Sequence, residues 1–115
     1  MASTRATLPL SVTDRNREED ERWLVIDGRR WRRTDPALPA ETVEALKSHL
    51  GRARSAVASG KRTHDEDAIA EARRRVGIAK RGLGERGPYW WDSPETERLA
   101  RAEEALRELT EDAPR

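Results

Sequence analysis

Two stretches of the sequence carry apolar residues at alternating spacings of three and four, and this pattern constrains the fold more than any other feature. Such spacings are those of the a and d positions of a coiled coil, which form a narrow stripe that a facing helix covers. The stripe residues are Val43, Leu46, Leu50, Ala53 and Val57 in the first stretch, and Ile69, Ala72, Val76, Ala79 and Leu83 in the second. The pattern predicts two long helices that pack on each other.

Folding the chain at Thr63 matches the two stripes in an antiparallel helical hairpin over residues 39–84. Leu50 then faces Val76 near the middle of the stripe. Ala53 faces Ala72, and this layer of small side chains lets the two backbones come close. The sequence therefore specifies a register as well as a pairing.

Local signals place the ends of the two helices. Pro39 suits the first turn of helix one because its φ is already helical, and Ser59-Gly60 is expected to end that helix. Thr63 and Glu66 have the spacing of a capping box, which predicts the start of helix two. Helix two is expected to fade over residues 82–87, where glycines recur.

A β-hairpin is predicted over residues 22–34. Asp27-Gly28 is a strong hairpin signal, because a type I′ turn needs a positive φ at both central positions. A two-residue turn there pairs Ile26 with Arg29, Leu24 with Trp31 and Trp23 with Arg32.

The remaining segments complete the predicted fold, which is mainly α with a minor β component. Residues 87–92 form an aromatic turn, and a third helix over residues 94–110 follows from the spacing of Leu99, Ala102, Leu106 and Leu109. Residues 1–21 are polar without a sustained period and are predicted to be a disordered N-terminal arm. Residues 22–110 are expected to form a single small domain, and residues 111–115 a frayed tail.

Composition narrows the class of protein. With 115 residues, of which 35% are apolar and 39% are charged, the chain can bury only a slim helical core. The absence of cysteine excludes disulfides and thiolate metal sites and favours a reducing, cytoplasmic compartment. No apolar run approaches the ~20 residues that span a bilayer, and the first ten residues lack the apolar core of a signal peptide. We therefore expect no membrane partner.

Four cations follow one side of the apolar stripe. The e positions of the two helices hold Lys47 and Arg54, then Arg73 and Lys80, and antiparallel pairing brings each cation near another. Like charges at this spacing repel, so an acidic group is expected beside them. The carboxylates of helix three are the favoured candidate, since a helical hairpin needs a third layer. Nucleic acid or an acidic protein is the alternative.

The second strand of the hairpin is another candidate contact surface. It carries Arg29, Arg30, Trp31, Arg32 and Arg33. Arginine beside tryptophan is typical of surfaces that follow phosphates and stack on bases. It is also typical of a hairpin edge on which arginine stacks on tryptophan and guards against aggregation, and this second interpretation is the more frequent one.

No motif for catalysis, metal binding or cofactor binding stands out, so neither an enzyme nor a cofactor is expected. His49 lies beside the stripe and His64 lies in the turn between the helices, and neither has a carboxylate at helical ligand spacing. Residues 82–87 match Gly-x-Gly-x-x-Gly in letters only, because they end a helix where a dinucleotide loop would join a strand to one. Trp90 and Trp91 are expected to plug the core.

Two segments resemble a small family of uncharacterised bacterial proteins. The first segment reads Val25-Ile26-Asp27-Gly28-Arg29-Arg30-Trp31-Arg32 with Thr34-Asp35-Pro36, and the second reads Leu83-Gly84-Glu85-Arg86-Gly87 with Trp90-Trp91. The resemblance covers roughly residues 22–92. Some members carry a "biopolymer transporter Tol" label, which this sequence does not support, and the resemblance brings no activity or site residues.

These observations predict a non-enzymatic binding module. An unidentified protein partner is placed ahead of DNA or RNA, and a homo-oligomer is a separate alternative. The deciding feature is the position of helix three. If that helix covers the basic e positions, protein recognition follows, whereas phosphate binding takes the lead if the helix lies elsewhere.

Overall fold

A computed structural model describes residues 19–111, and it has the mainly α architecture with a short β-hairpin that the sequence predicts. The chain divides into two compact units, residues 1–33 and residues 34–115. Most of the predicted N-terminal arm and of the frayed tail lies outside the described residues. The last residues of the predicted arm, from 19 onward, are helical.

The first unit contains the predicted hairpin. Strands β1 (Trp23–Ile26) and β2 (Arg29–Arg32) are antiparallel. Asp27 has a φ of 51° and Gly28 a φ of 77°, so both turn residues adopt the left-handed conformation that a type I′ turn requires. The register confirms all three predicted pairs, which are Ile26 with Arg29, Leu24 with Trp31 and Trp23 with Arg32.

The second unit begins with a helical hairpin made of α1 (Ala40–Thr63) and α2 (Glu66–Gly82). The expectation that Ser59-Gly60 ends the first helix is wrong, because α1 continues to Thr63. Gly60 is buried inside α1, and a Cβ at this position would come within 2.8 Å of Ile69 Cγ1. The glycine thus permits a close approach between the helices.

The turn between the helices differs from the predicted capping box. His64 adopts a left-handed φ of 56° and ends α1. Asp65 caps α2, since its carboxylate accepts a hydrogen bond from the Ala68 N–H at 3.1 Å. The Thr63 hydroxyl donates back to the Ser59 carbonyl at 3.2 Å and so belongs to the end of α1.

The apolar stripe is where the sequence places it. All ten stripe residues are buried or half-buried. The core also takes in residues outside the stripe, namely Leu38, Ile78, Ala102, Ala105 and Leu109. These additional residues come from the connector, from the outer face of α2 and from the third helix, so the core has three helical layers.

The aromatic turn leads into the third helix, α3 (Glu95–Glu111), through a short 3-10 helix at Trp90–Asp92. Trp90 is buried, which confirms its predicted role in the core, whereas Trp91 is half-buried. The Tyr89 and Trp91 rings stack with their centroids 4.6 Å apart. The Trp90 and Trp91 rings meet edge to face at 5.1 Å.

Candidate functional site

The third helix lies on the side of the helical hairpin away from Arg54 and Arg73. A Cβ added at Gly82 would come within 2.7 Å of Ala105 Cβ, so α3 touches the backbone of α2. Arg75 Nη2 donates a hydrogen bond to the Leu109 carbonyl at 2.9 Å. In the heptad that places Ile69 and Val76 at a, Arg75 occupies the g position, on the side of the stripe opposite the e positions. The third helix therefore packs along the g side of the stripe and leaves the e side, with Arg54 and Arg73, open.

The open e side forms a groove between α1 and α2 with a volume of about 420 Å³. Its lining residues are Arg54, Val57, Arg73, Val76 and Arg86, and we call it the basic groove. Within residues 19–111, no ion pair or hydrogen bond engages the guanidinium groups of Arg54, Arg73 or Arg86. The valines supply an apolar floor, and the three arginines supply an unneutralised rim.

Arg86 is the lining residue that the sequence did not reveal. Gly84 and Gly87, with φ values of 80° and 83°, turn the chain back after α2. The Arg86 side chain then lies over Gly77, where a Cβ would be 3.6 Å from Arg86 Nη1. Arg86 lies outside every periodic segment, so the sequence carried no pattern that could place it on the groove.

The lowered pKa of Lys80 indicates a positive potential beside the basic groove. Lys80 is 9% exposed, and burial is the main reason why its pKa is lowered. Repulsion from Arg54 and Arg86 lowers the pKa of Lys80 further, while Glu85 raises it in part. Because the neighbouring cations repel the Lys80 ammonium, the potential there is positive and would stabilise an anion.

The structure brings together some of the sequence-predicted cations and separates others. Arg54 and Arg73 line the same groove, as their pairing in the sequence predicts, and Lys80 lies near Arg54. Lys47 is exposed on α1 and does not line the groove. Three of the four predicted flank residues therefore contribute to one charged region, to which Arg86 adds a fourth cation.

The arginines of the hairpin are engaged within their own unit. The Arg29 guanidinium lies 5.0 Å from the centre of the Trp31 ring, and that of Arg30 lies 4.2 Å from the centre of the Trp23 ring. Arg33 Nε donates a hydrogen bond to the backbone carbonyl of Asp20. Arginine–tryptophan stacking is thus present in the hairpin, and nucleic-acid contact through residues 29–33 stays a prediction.

A second groove lies on the g side, next to the end of α3, and has a volume of about 600 Å³. We call it the apolar groove because alanines dominate its surface. Its lining residues are His49, Arg52, Ala53, Ala56, Ala68, Glu71, Ala72 and Arg75. The two grooves therefore occupy opposite sides of the same helical hairpin and differ in chemistry.

Polar groups at the rim of the apolar groove are only partly paired. Arg52 Nη2 lies 3.2 Å from His49 Nδ1, and because a guanidinium only donates, Nδ1 is the acceptor. Burial, followed by the charges of Arg52 and Arg75, lowers the pKa of His49. Arg75 Nη1 is buried and has no hydrogen-bond partner among the described residues.

Comparison with family models, with curated proteins and with solved structures found no match to this chain. Within residues 19–111, no helix combines the length and the apolar character that crossing a membrane would take. The same part of the chain contains no group of three histidine, aspartate or glutamate side chains placed to hold a metal ion. The two grooves are therefore the candidate functional sites.

Proposed function

We propose that the protein is a non-enzymatic binding module whose basic groove binds the phosphates of a nucleic acid. The observation that carries this proposal is the set of three arginines, Arg54, Arg73 and Arg86, around an open groove in which no carboxylate of the described residues pairs with them. The planar guanidinium fork matches a phosphate with two parallel hydrogen bonds. The position of α3 favours phosphate binding over the protein partner that the sequence placed first.

The groove favours binding that is tolerant of base sequence. Its floor is formed by Val57 and Val76, which offer neither donors nor acceptors for base edges. The buried Lys80 adds positive potential without lining the groove. Affinity would then come from phosphate contacts and would weaken steeply as salt is added.

Fluorescence anisotropy with labelled single-stranded DNA and RNA of the same sequence tests this proposal. If the three arginines each neutralise one phosphate, the logarithm of the association constant falls with the logarithm of salt concentration with a slope of about −2 to −3. The absence of binding to either oligonucleotide at low salt would remove the proposal.

A matched pair of double variants locates the contact. Arg54→Glu/Arg73→Glu places two carboxylates in the groove and is expected to abolish binding. Arg62→Glu/Arg107→Glu makes the same change in net charge on exposed positions outside the groove, and binding is expected to persist. Equal losses in the two proteins would mean that net charge, and not the groove, attracts the nucleic acid.

We place this activity in the cytoplasm. The chain contains no cysteine and so cannot form the disulfides that are typical of small secreted domains. The absence of catalysis is part of the same proposal, and it is supported by the composition of the two grooves. Neither lining contains a serine, threonine or cysteine that a general base could activate as a nucleophile.

A further inference from the structure

We propose that the apolar groove docks an acidic amphipathic helix from another protein. This surface is separate from the basic groove and lies on the opposite side of the helical hairpin. Three features support docking: the small side chains of the groove floor, the packing of α3 on the same side, and the cations at the rim, which form no ion pair within residues 19–111.

The floor of the groove is shaped for a helix. Ala53 and Ala56 are three residues apart on α1, and Ala68 and Ala72 are four apart on α2, so each pair lies along one face of its helix. Alanine side chains leave a shallow channel in which a third helix can approach the backbones of the other two closely. Ala56 and Ala68 are exposed, so the channel is accessible.

The third helix shows which kind of helix this side of the hairpin accepts. Along the other half of the g side, α3 inserts Ala105 against Gly82 and presents Glu108 to Arg74 at 3.3 Å. Higher residue numbers in α3 contact lower ones in α2, and the contact between Leu109 and Arg75 lies where the apolar groove begins. A helix of similar chemistry would continue the layer that α3 starts.

The rim of the apolar groove is positively charged and would attract a carboxylate. Arg75 uses Nη2 to bind the Leu109 carbonyl, while its buried Nη1 has no partner among the described residues. Among residues 19–111, Arg52 forms no ion pair, and its guanidinium donates to His49 Nδ1. The one acid in the lining, Glu71, is held by Arg74 through two hydrogen bonds of 2.9 and 3.1 Å. A glutamate or aspartate from a partner helix would pair with the exposed Arg52 and would also be attracted by the positive charge of Arg75.

The probe is a synthetic 17-residue peptide with the sequence of residues 95–111, which is an acidic amphipathic helix compatible with this side of the hairpin. It is titrated into the full chain and followed by isothermal calorimetry. A second peptide carries glutamine in place of every glutamate. We expect the acidic peptide to bind. The glutamine peptide should bind at least about tenfold more weakly, because its amides cannot form ion pairs with the arginines.

Variants of the groove distinguish docking from displacement of the chain's own α3. Arg52→Gln removes a rim cation, and Ala56→Glu places a carboxylate in the channel. Both positions are exposed, so the fold is expected to persist, and circular dichroism checks this. Each change should lower the affinity for the acidic peptide about tenfold. Arg54→Gln, in the basic groove, should leave the affinity for this peptide unchanged.

Docking also has a local signature at His49. His49 lines the apolar groove, so an NMR titration with the acidic peptide should shift the ring resonances of His49. Failure of the acidic peptide to bind, equal affinity of the two peptides, or affinity that ignores both groove variants would overturn the proposal. A dimer of the chain alone that Ala56→Glu dissociates would also overturn it, because the occupant would then be a second copy.

Discussion

Asp35 and Arg98 form a bidentate ion pair that joins the start of the second unit to α3. Arg98 Nε lies 2.9 Å from Asp35 Oδ2, and Arg98 Nη2 lies 2.5 Å from Asp35 Oδ1. Asp35 is 2% exposed, its N–H donates to the Leu83 carbonyl at 2.9 Å, and its Oδ1 accepts from the Ala37 N–H. The hydrogen bond to Asp35 also raises the pKa of Arg98, so the guanidinium stays charged.

Breaking this pair is expected to cost far more than breaking an exposed one. Arg98→Gln leaves the buried Asp35 carboxylate without its partner, and a loss of about 3 to 5 kcal/mol in the free energy of unfolding is expected. Arg107→Gln, which breaks an exposed pair with Glu104, should cost under about 1 kcal/mol. Urea unfolding monitored by circular dichroism measures both, and equal losses would contradict the structural role of the pair.

The contact between α2 and α3 makes Gly82 sensitive to the smallest side chain. Gly82→Ala would place a Cβ 2.7 Å from Ala105 Cβ and 3.0 Å from Leu46 Cδ2, so one helix must move. A destabilisation of about 1 to 3 kcal/mol is expected from this overpacking. Gly51→Ala is the matched control, because nothing lies within 4 Å of its added Cβ.

Gly51→Ala is expected to stabilise the protein by up to about 1 kcal/mol, since alanine is the better helix former. Thermal unfolding of the two variants should therefore shift in opposite directions. A Gly82→Ala protein as stable as the Gly51→Ala protein would mean that α3 does not pack where the structure places it.

His49 makes the stability of the fold depend on pH. Its pKa in the folded protein lies below the ordinary value of 6.5, because of burial and the charges of Arg52 and Arg75. The unfolded chain then binds more protons as pH falls below about 6.5, so this contribution to stability is complete above that pH and is lost as pH falls through the folded pKa.

Urea unfolding of the wild type and of His49→Gln at about pH 7.5 and about pH 5.5 isolates this contribution. The wild type is expected to lose more stability on acidification than the variant, since carboxylates titrate in both proteins alike. An identical loss in the two proteins would show that His49 is not destabilised as an imidazolium in the fold.

The parts of the fold that the sequence predicted are those with a local or periodic signal. Asp27-Gly28 determined the hairpin register, and the stripe from Val43 to Leu83 determined the pairing of α1 with α2. The end of α1 was misplaced because Gly60 has a packing role that only Ile69, nine residues further on, makes visible. Composition alone could not distinguish that role from helix termination.

The parts that the sequence did not predict depend on contacts between distant segments. Asp35 and Arg98 are 63 residues apart, and neither belongs to a periodic pattern. The apolar spacing of helix three predicts that it packs, but the helical hairpin offers two sides, and the choice depends on Ala105 fitting against Gly82. The basic groove and its third arginine follow from that choice.

An NMR titration with a single-stranded DNA oligonucleotide tests most directly whether the basic groove binds phosphate. The Nε–Hε resonances of the arginines report contact at the guanidinium itself. We expect the resonances of Arg54, Arg73 and Arg86 to shift on binding, while those of Arg52 and Arg107, which lie outside the basic groove, stay in place. Shifts confined to arginines outside the basic groove, or spread evenly over all of them, would contradict this expectation.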